Sequence, residues 1–290
     1  MTDRLLLTGA SGRVGSLLRP HLIRPGREVR LLDPAPPRGA PHPGEIHLSG
    51  SVTDPDLMAA ACKDIDLVVH LGGHAGERPW RDLLEVNIHG TYVVLEAARK
   101  QGVRRVLLAS SAHVVGMLAT TETGADTVLP PRPDTLYGVS KAAVEALGSH
   151  YADAYGMAVV SARIGTVDPA PDSVRSLSTW LSPGDAARLV EACRALTRPG
   201  HHIVWGVSAN RRRWVSLAAG ETIGYRPADD AERFAVQIPG AGSPGPADPA
   251  VRIGGPWADQ WADEWADQHP RHPAHSEPQN EPQKETTAPW

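Results

Sequence analysis

Apolar residues fall along this chain in short unbroken blocks, separated by stretches where they recur every three or four positions. Residues 4–8 (Arg-Leu-Leu-Leu-Thr) form the first block and run straight into glycine. An apolar run without alternation is the pattern of a strand covered on both faces. Val14, Leu17, Leu18 and Leu22 then keep helical spacing. Further strands are predicted over 28–32, 66–71, 106–109, 159–164 and 203–205, with a weaker one over 45–48. Thr53-Asp54 can cap a helix running to Ala61. Longer helices are predicted over 81–100, 137–155 (ended at Gly156) and 183–196. Strand and helix alternate about six times, which predicts an α/β protein with a doubly wound parallel sheet and right-handed crossovers. In such sheets ligands bind beyond the carboxyl ends of the strands, so the residues that follow each strand are the candidates for chemistry.

Composition narrows the class. The chain has 290 residues, 41% hydrophobic and 21% charged, with a net charge of −4. That is ordinary for a soluble globular protein and supplies no basic surface for nucleic acid. No run approaches the ~20 apolar residues that cross a bilayer, and the N-terminus shows no basic-then-apolar leader. A cytoplasmic protein is expected. Cys62 and Cys193 stand far apart without metal-ligand spacing, so reduced, packed thiols and no metal are expected. From about Gly240 the chain turns Pro/Gly/Ala-rich and then His/Pro/Glu/Gln-rich. Such a segment buries too little apolar surface to offset its ordering entropy, which predicts a mostly disordered tail over 240–290. Within it, Trp257, Trp261 and Trp265 recur at four-residue spacing. If helical, they form one indole stripe, either a docking element for a partner or for the body of the protein, or a drifted low-complexity repeat.

Gly9, Gly12 and Gly15 sit at the junction of the first strand and first helix. There glycine permits the tight turn, the approach of a pyrophosphate to backbone N–H groups, and close packing of helix on sheet. The spacing G-x-x-G-x-x-G differs from the commoner G-x-G-x-x-G, and a purely structural turn is the alternative. Asp33 ends the second strand, where a carboxylate accepts from adenosine ribose hydroxyls and repels a 2′-phosphate. This predicts NAD over NADP, a preference that the nearby cations Arg13 and Arg38 can soften.

Tyr137 and Lys141 form a Tyr-x-x-x-Lys pair at the start of a helix, on one face. A free phenol is too weak an acid to serve as a neutral-pH base; a neighbouring ammonium favours the phenolate. Ser110-Ser111 ends the preceding strand, and a serine hydroxyl there can hydrogen-bond the reacting oxygen. Asn87 lies on the intervening helix, where an amide can link Lys141 to solvent through water. The catalytic set expected is therefore Ser111, Tyr137, Lys141 and Asn87.

These pieces together resemble the extended, epimerase-like branch of the short-chain dehydrogenase/reductase superfamily: Thr8-Gly9-Ala-Ser-Gly12-Arg-Val-Gly15, His70-Leu-Gly-Gly73, Asn87-Ile-His-Gly90, Ser110-Ser111 and Tyr137-Gly-Val-Ser-Lys141. More specific strings look most like the uronate dehydrogenases of that branch, among them His70 to Trp80, Leu177-Ser-Thr-Trp-Leu181 and Val204 to Asn210. The likeness runs over about residues 3–236. It implies a Rossmann-type NAD-binding domain over 1–165, with 200–208 adding a strand, a small substrate-binding part over 166–239, and a tail outside both. It also implies a cofactor site of Gly9, Ser11, Gly12, Arg13, Val14, Gly15, Asp33, Ser51, Val52, Leu71, Gly72, Gly73, Tyr137, Lys141 and Ile164.

The activity implied is oxidation of galacturonate or glucuronate at C1 by NAD, giving an aldarolactone. Ser111, His113, Thr166, Arg175 and the Ala75 position would contact this small sugar acid, with Arg175 gripping its carboxylate through paired hydrogen bonds. A homo-oligomer is implied by the resemblance alone. The sequence departs from the family pattern in four places. Ala112 stands for an asparagine, Ala75 for a serine beside an unusual His74, Thr166 for a serine, and Ser51 for an acidic residue. Each removes or moves a polar contact. Two other readings stay open at this level, a nucleotide-sugar epimerase or dehydratase that recycles bound NAD, and a non-catalytic NAD-binding protein.

Overall fold

The computed structural model describes residues 3–124, 128–243, 245, 248 and 250–260. Its elements are β1 (Asp3–Thr8), α1 (Arg13–Leu22), β2 (Arg27–Asp33), β3 (Glu45–Ser49), α2 (Pro55–Ala61), β4 (Leu67–His70), α3 (Trp80–Asp82), a π-helical stretch (Leu83–His89), α4 (Gly90–Lys100), β5 (Arg105–Ser111), α5 (Leu136–Tyr155), β6 (Ala158–Ile164), β7 (Thr166–Val167), α6 (Ser176–Thr179), β8 (Trp180–Leu181), α7 (Pro183–Ala195), β9 (Gly200–Gly206) and α8 (Ala218–Thr222). Seven strands form one sheet in the order β3-β2-β1-β4-β5-β6-β9, every pair parallel. The order reverses at β1, between β2 and β4, so the crevice of a doubly wound sheet opens above the first glycine turn.

Side-chain alternation along buried strands divides the core in two. Leu5 and Leu7 pack with Leu18, Leu22, Leu189 and Val190 under α1 and α7. Leu6 faces the other way, with Val68, Met58, Val94 and Val144 under α2, α4 and α5. The unbroken Leu-Leu-Leu run therefore serves both layers. The Asp54 cap forms as expected, its carboxylate accepting from the N–H groups of Asp56 and Leu57.

Two expectations need correction. The helix predicted over 81–100 is not uniformly α: Leu83–His89 is π-helical, a widening that occurs frequently at functional sites, and here it carries Asn87. The disordered tail predicted over 240–290 is wrong for the described residues 250–260. Ile253 is 1% exposed and packs with Val114, Val115 and Leu118. Its N–H donates to the Leu118 carbonyl at 2.9 Å, that of Gly254 to Gly116 at 2.9 Å, and that of Thr120 to Val251 at 2.9 Å. Glycine makes this docking possible, since a Cβ on Gly254 would collide with the Asp134 carboxylate. Average composition is blind to one apolar residue with a backbone partner waiting for it. Trp261 and Trp265 lie outside the described residues.

Candidate active site

The site is a cavity of about 500 Å³ at the carboxyl ends of the strands, within the usual range for ligand pockets. Its floor is the β1–α1 turn. Gly9 has φ +69°, and a Cβ there would sit 2.7 Å from the Gly72 N, so the turn after β4 can approach only a glycine. A Cβ on Gly15 would collide with the Gly9 carbonyl oxygen, which is the close helix–sheet packing expected of the third glycine. The N-terminus of α1 therefore faces the cavity with its unpaired N–H groups, a geometry suited to a pyrophosphate.

Asp33, at the end of β2, accepts from the Ser11 N–H at 3.1 Å and the Ala35 N–H at 3.0 Å, and it lines the cavity. Residues that suit a dinucleotide continue around the wall: Gly12, Arg13, Val14, Ser51, Val52, Leu71, Gly72, Gly73 and Ile164 all line it, as do Ala75, Ser111, His113, Tyr137, Lys141 and Thr166. The donor set and the glycine cradle fit NAD, and the Asp33 carboxylate fits the ribose diol.

Three expected residues do not line the cavity. Ser11 turns its hydroxyl to the Ala35 carbonyl at 2.7 Å. Asn87 is 1% exposed; its Oδ1 accepts from the His74 N–H at 2.7 Å, and its Nδ2 donates to the His74 carbonyl and, at 3.0 Å, to Ser140 Oγ. Through these bonds Asn87 ties the 73–74 turn to α5, one residue from Lys141. Arg175 donates from Nη2 to the Ile253 carbonyl at 2.5 Å, under the docked C-terminal segment, and its Nε is buried without a partner.

The reacting group assembles where β5 ends and α5 begins. Thr135 caps α5 by accepting from the Gly138 N–H at 3.0 Å, and the Tyr137 N–H donates to Glu77 Oε2 at 2.9 Å. The phenol is 8% exposed and lines the cavity together with Ser111. Lys141 Nζ donates to the Ala109 carbonyl at 2.9 Å and stands 5.6 Å from the centre of the Tyr137 ring. Burial pulls the ammonium down to about 8.

The phenol itself runs against expectation. Burial raises its pKa, the Ser111 hydrogen bond offsets this in part, and the Asp134 charge adds to the rise. Desolvation of the phenolate, with the Asp134 charge beside it, outweighs the Ser111 contribution.

Sequence reading missed three supports and left a fourth open. Asp134, its side chain wholly buried, holds His113 Nδ1 at 2.7 Å, which fixes the ring's orientation. Arg163 grips Glu145 through two bonds of 2.9 Å, and Ser110 donates to the same carboxylate at 2.6 Å; this brace locks β5 and β6 to α5 beneath the catalytic group. Arg13 pairs with Asp168 across the cavity rim. Trp257 lines the cavity from the C-terminal segment. The first three are contacts distant in sequence and carry no local signal. The tryptophan repeat did mark Trp257, but surrounding composition masked its place.

A Rossmann sheet with a glycine-cradled cavity and a Ser–Tyr–Lys group at its mouth defines an NAD-using enzyme of the short-chain dehydrogenase type. The chain belongs to the NAD dependent epimerase/dehydratase family, whose profile matches residues 5–216. Within that family it is 40% identical to a uronate dehydrogenase of Pseudomonas syringae pv. tomato, over 86% of this chain and 90% of the relative. A NAD-dependent glucose-6-phosphate dehydrogenase of Haloferax volcanii is 36% identical over 81% of this chain and 96% of the relative. A mutant uronate dehydrogenase of Agrobacterium tumefaciens, solved in complex with NAD, superposes with TM-score 0.79 at 37% identity, covering 89% of this chain and 97% of that one.

Proposed function

We propose that the protein is a uronate dehydrogenase that oxidises galacturonate or glucuronate at C1 with NAD and forms the aldarolactone. The observation that carries this reading is that Ser111, Tyr137 and Lys141 line the same glycine-cradled cavity, in a chain so similar to uronate dehydrogenases over most of its length. Gly9, Gly12, Gly15 and Asp33 would hold NAD, which when bound would supply the hydride acceptor. Ser111 orients the C1 hydroxyl. Tyr137 takes its proton as the C1–H bond gives up its hydride. Lys141, buried beside the phenol, stabilises the phenolate while protonated. His113, held by Asp134, and Thr166 contact the remaining hydroxyls.

Arg175 is the carboxylate ligand in this reading. Its unpartnered Nε and its bond to a neutral carbonyl leave a buried guanidinium that a carboxylate satisfies better, because a charge-assisted bidentate pair is about twice as strong as a neutral bond.

The test is NADH formation by purified protein with NAD and a panel of galacturonate, glucuronate, glucose 6-phosphate and neutral sugars. Uronates are expected to be the best substrates. Arg175→Lys is expected to raise uronate KM on the order of ten-fold or more, the scale of one lost bidentate partner. Turnover confined to neutral or phosphorylated sugars would remove both the substrate class and the role of Arg175. The absence, among the described residues, of any helix long and apolar enough to cross a membrane fits a cytoplasmic enzyme. Leu84, Tyr92, Leu136 and Val139, exposed on the helices flanking the site, fit pairing with a second copy; sedimentation as a monomer would exclude that part.

A further inference from the structure

Trp257 reaches the cavity from a segment outside the sheet and its helices. The segment is anchored on both sides of the site. Arg252 donates to the Met117 carbonyl at 2.7 Å, Ile253 is buried against the loop after β5, and Arg175 holds the Ile253 carbonyl. The indole stacks on the His113 ring with centroids 4.5 Å apart and planes at 24°. It stands edge-on to Tyr137 at 6.4 Å. On its far side, a Cβ built on Gly76 would lie 3.3 Å from the Trp257 Cη2. The indole therefore spans the site from the His113 side to the turn after β4, past the phenol that takes the proton. Despite these contacts it remains 38% exposed, and it lines the cavity.

We propose that Trp257 is a substrate-binding residue, a roof whose indole packs on the apolar C–H face of the sugar ring and presses C1 toward Tyr137. This rests on the uronate reading above and adds to it. A pyranose presents hydroxyl groups around its rim and C–H bonds on its faces. His113 and Thr166 supply polar partners for the rim, while an aromatic wall suits a face. Ala75 lines the same cavity without a polar group, which leaves the indole to carry more of the ring's binding. The bonds to Leu118, Gly116 and Met117 hold the roof independently of substrate.

The experiment compares full-length W257A and W257F with wild type at saturating NAD. W257A is expected to raise galacturonate KM on the order of ten-fold, with kcat within about three-fold and the KM for NAD unchanged. W257F is expected to restore KM to within about two-fold, since a smaller aromatic still offers a face. In a Tyr137→Phe background, which turns over about 10³-fold more slowly, galacturonate is expected to change the intrinsic fluorescence of the NAD-bound protein and to lose most of that effect when W257F is added. A galacturonate KM in W257A within two-fold of wild type overturns the proposal. So does an equal loss in W257A and W257F, or a joint fall of kcat and thermal stability, because these mark a part in folding alone. A wild type that turns over no uronate defeats the underlying reading instead, and its turnover on another sugar identifies that case.

Discussion

Tyr137→Phe is expected to lower kcat for uronate oxidation by about 10³-fold, within the 10²–10⁴ range of a positioned acid–base group, while the KM values for uronate and NAD stay within a few-fold. The phenol oxygen is the only group that Tyr137→Phe removes, so the change takes away the proton acceptor but leaves the ring, its edge contacts with His113 and Trp257, and the cavity wall. The pH profile supplies a second readout. Burial raises the Tyr137 pKa, and oxidation needs the phenolate. Wild-type kcat/KM is therefore expected to rise with pH through the neutral and mildly alkaline range, and the residual rate of the variant is expected to be flat there. Steady-state kinetics by NADH absorbance decides it. Residual activity within ten-fold of wild type would refute the assignment of the base.

Lys141→Met is expected to abolish most activity and yet stabilise the apoprotein at neutral pH. Burial draws the Lys141 ammonium from its ordinary 10.5 down to about 8, which corresponds to about 3 kcal/mol against the charged form. The folded pKa lies below the unfolded one, so the folded state binds fewer protons between those values. The penalty is fully present below pH 8 and is relieved as pH rises from about 8 to 10.5. Methionine of similar shape removes it but also forfeits the bond to the Ala109 carbonyl, worth about 1 kcal/mol. A net gain of about 1–2 kcal/mol raises Tm by about 2–4 °C in a domain of this size. Thermal unfolding of the apoproteins at pH 7 and pH 10 tests this. The gain is expected to shrink at the higher pH, and a Tm that falls at pH 7, or a gain independent of pH, would contradict the buried-charge account.

The same two residues show why parts of the site were readable from the chain alone. Tyr137 and Lys141 lie one helical turn apart, and Gly9, Gly12 and Gly15 occupy one turn and one helix start. Their relations are local, so spacing along the chain is spacing in space. Asp33 and Ser111 were legible because strand ends converge on one edge of a parallel sheet. Asn87 was placed on the correct helical stretch, but its partners, the His74 backbone and Ser140, lie on two other elements and carried no local signal.

The amino-acid sequence by itself determined the alternating strands and helices, the glycine turn, the acidic end of β2 and the Tyr–Lys pair, because each rests on periodicity or on contacts within a few residues. Tertiary structure alone decided the upward direction of the Tyr137 pKa, the Arg163–Glu145–Ser110 brace, the Asp134 hold on His113, the covering of Arg175 and the arrival of Trp257 over the phenol. Those depend on burial and on pairs of groups far apart along the chain, which come into range only when the sheet, α5 and the C-terminal segment pack together.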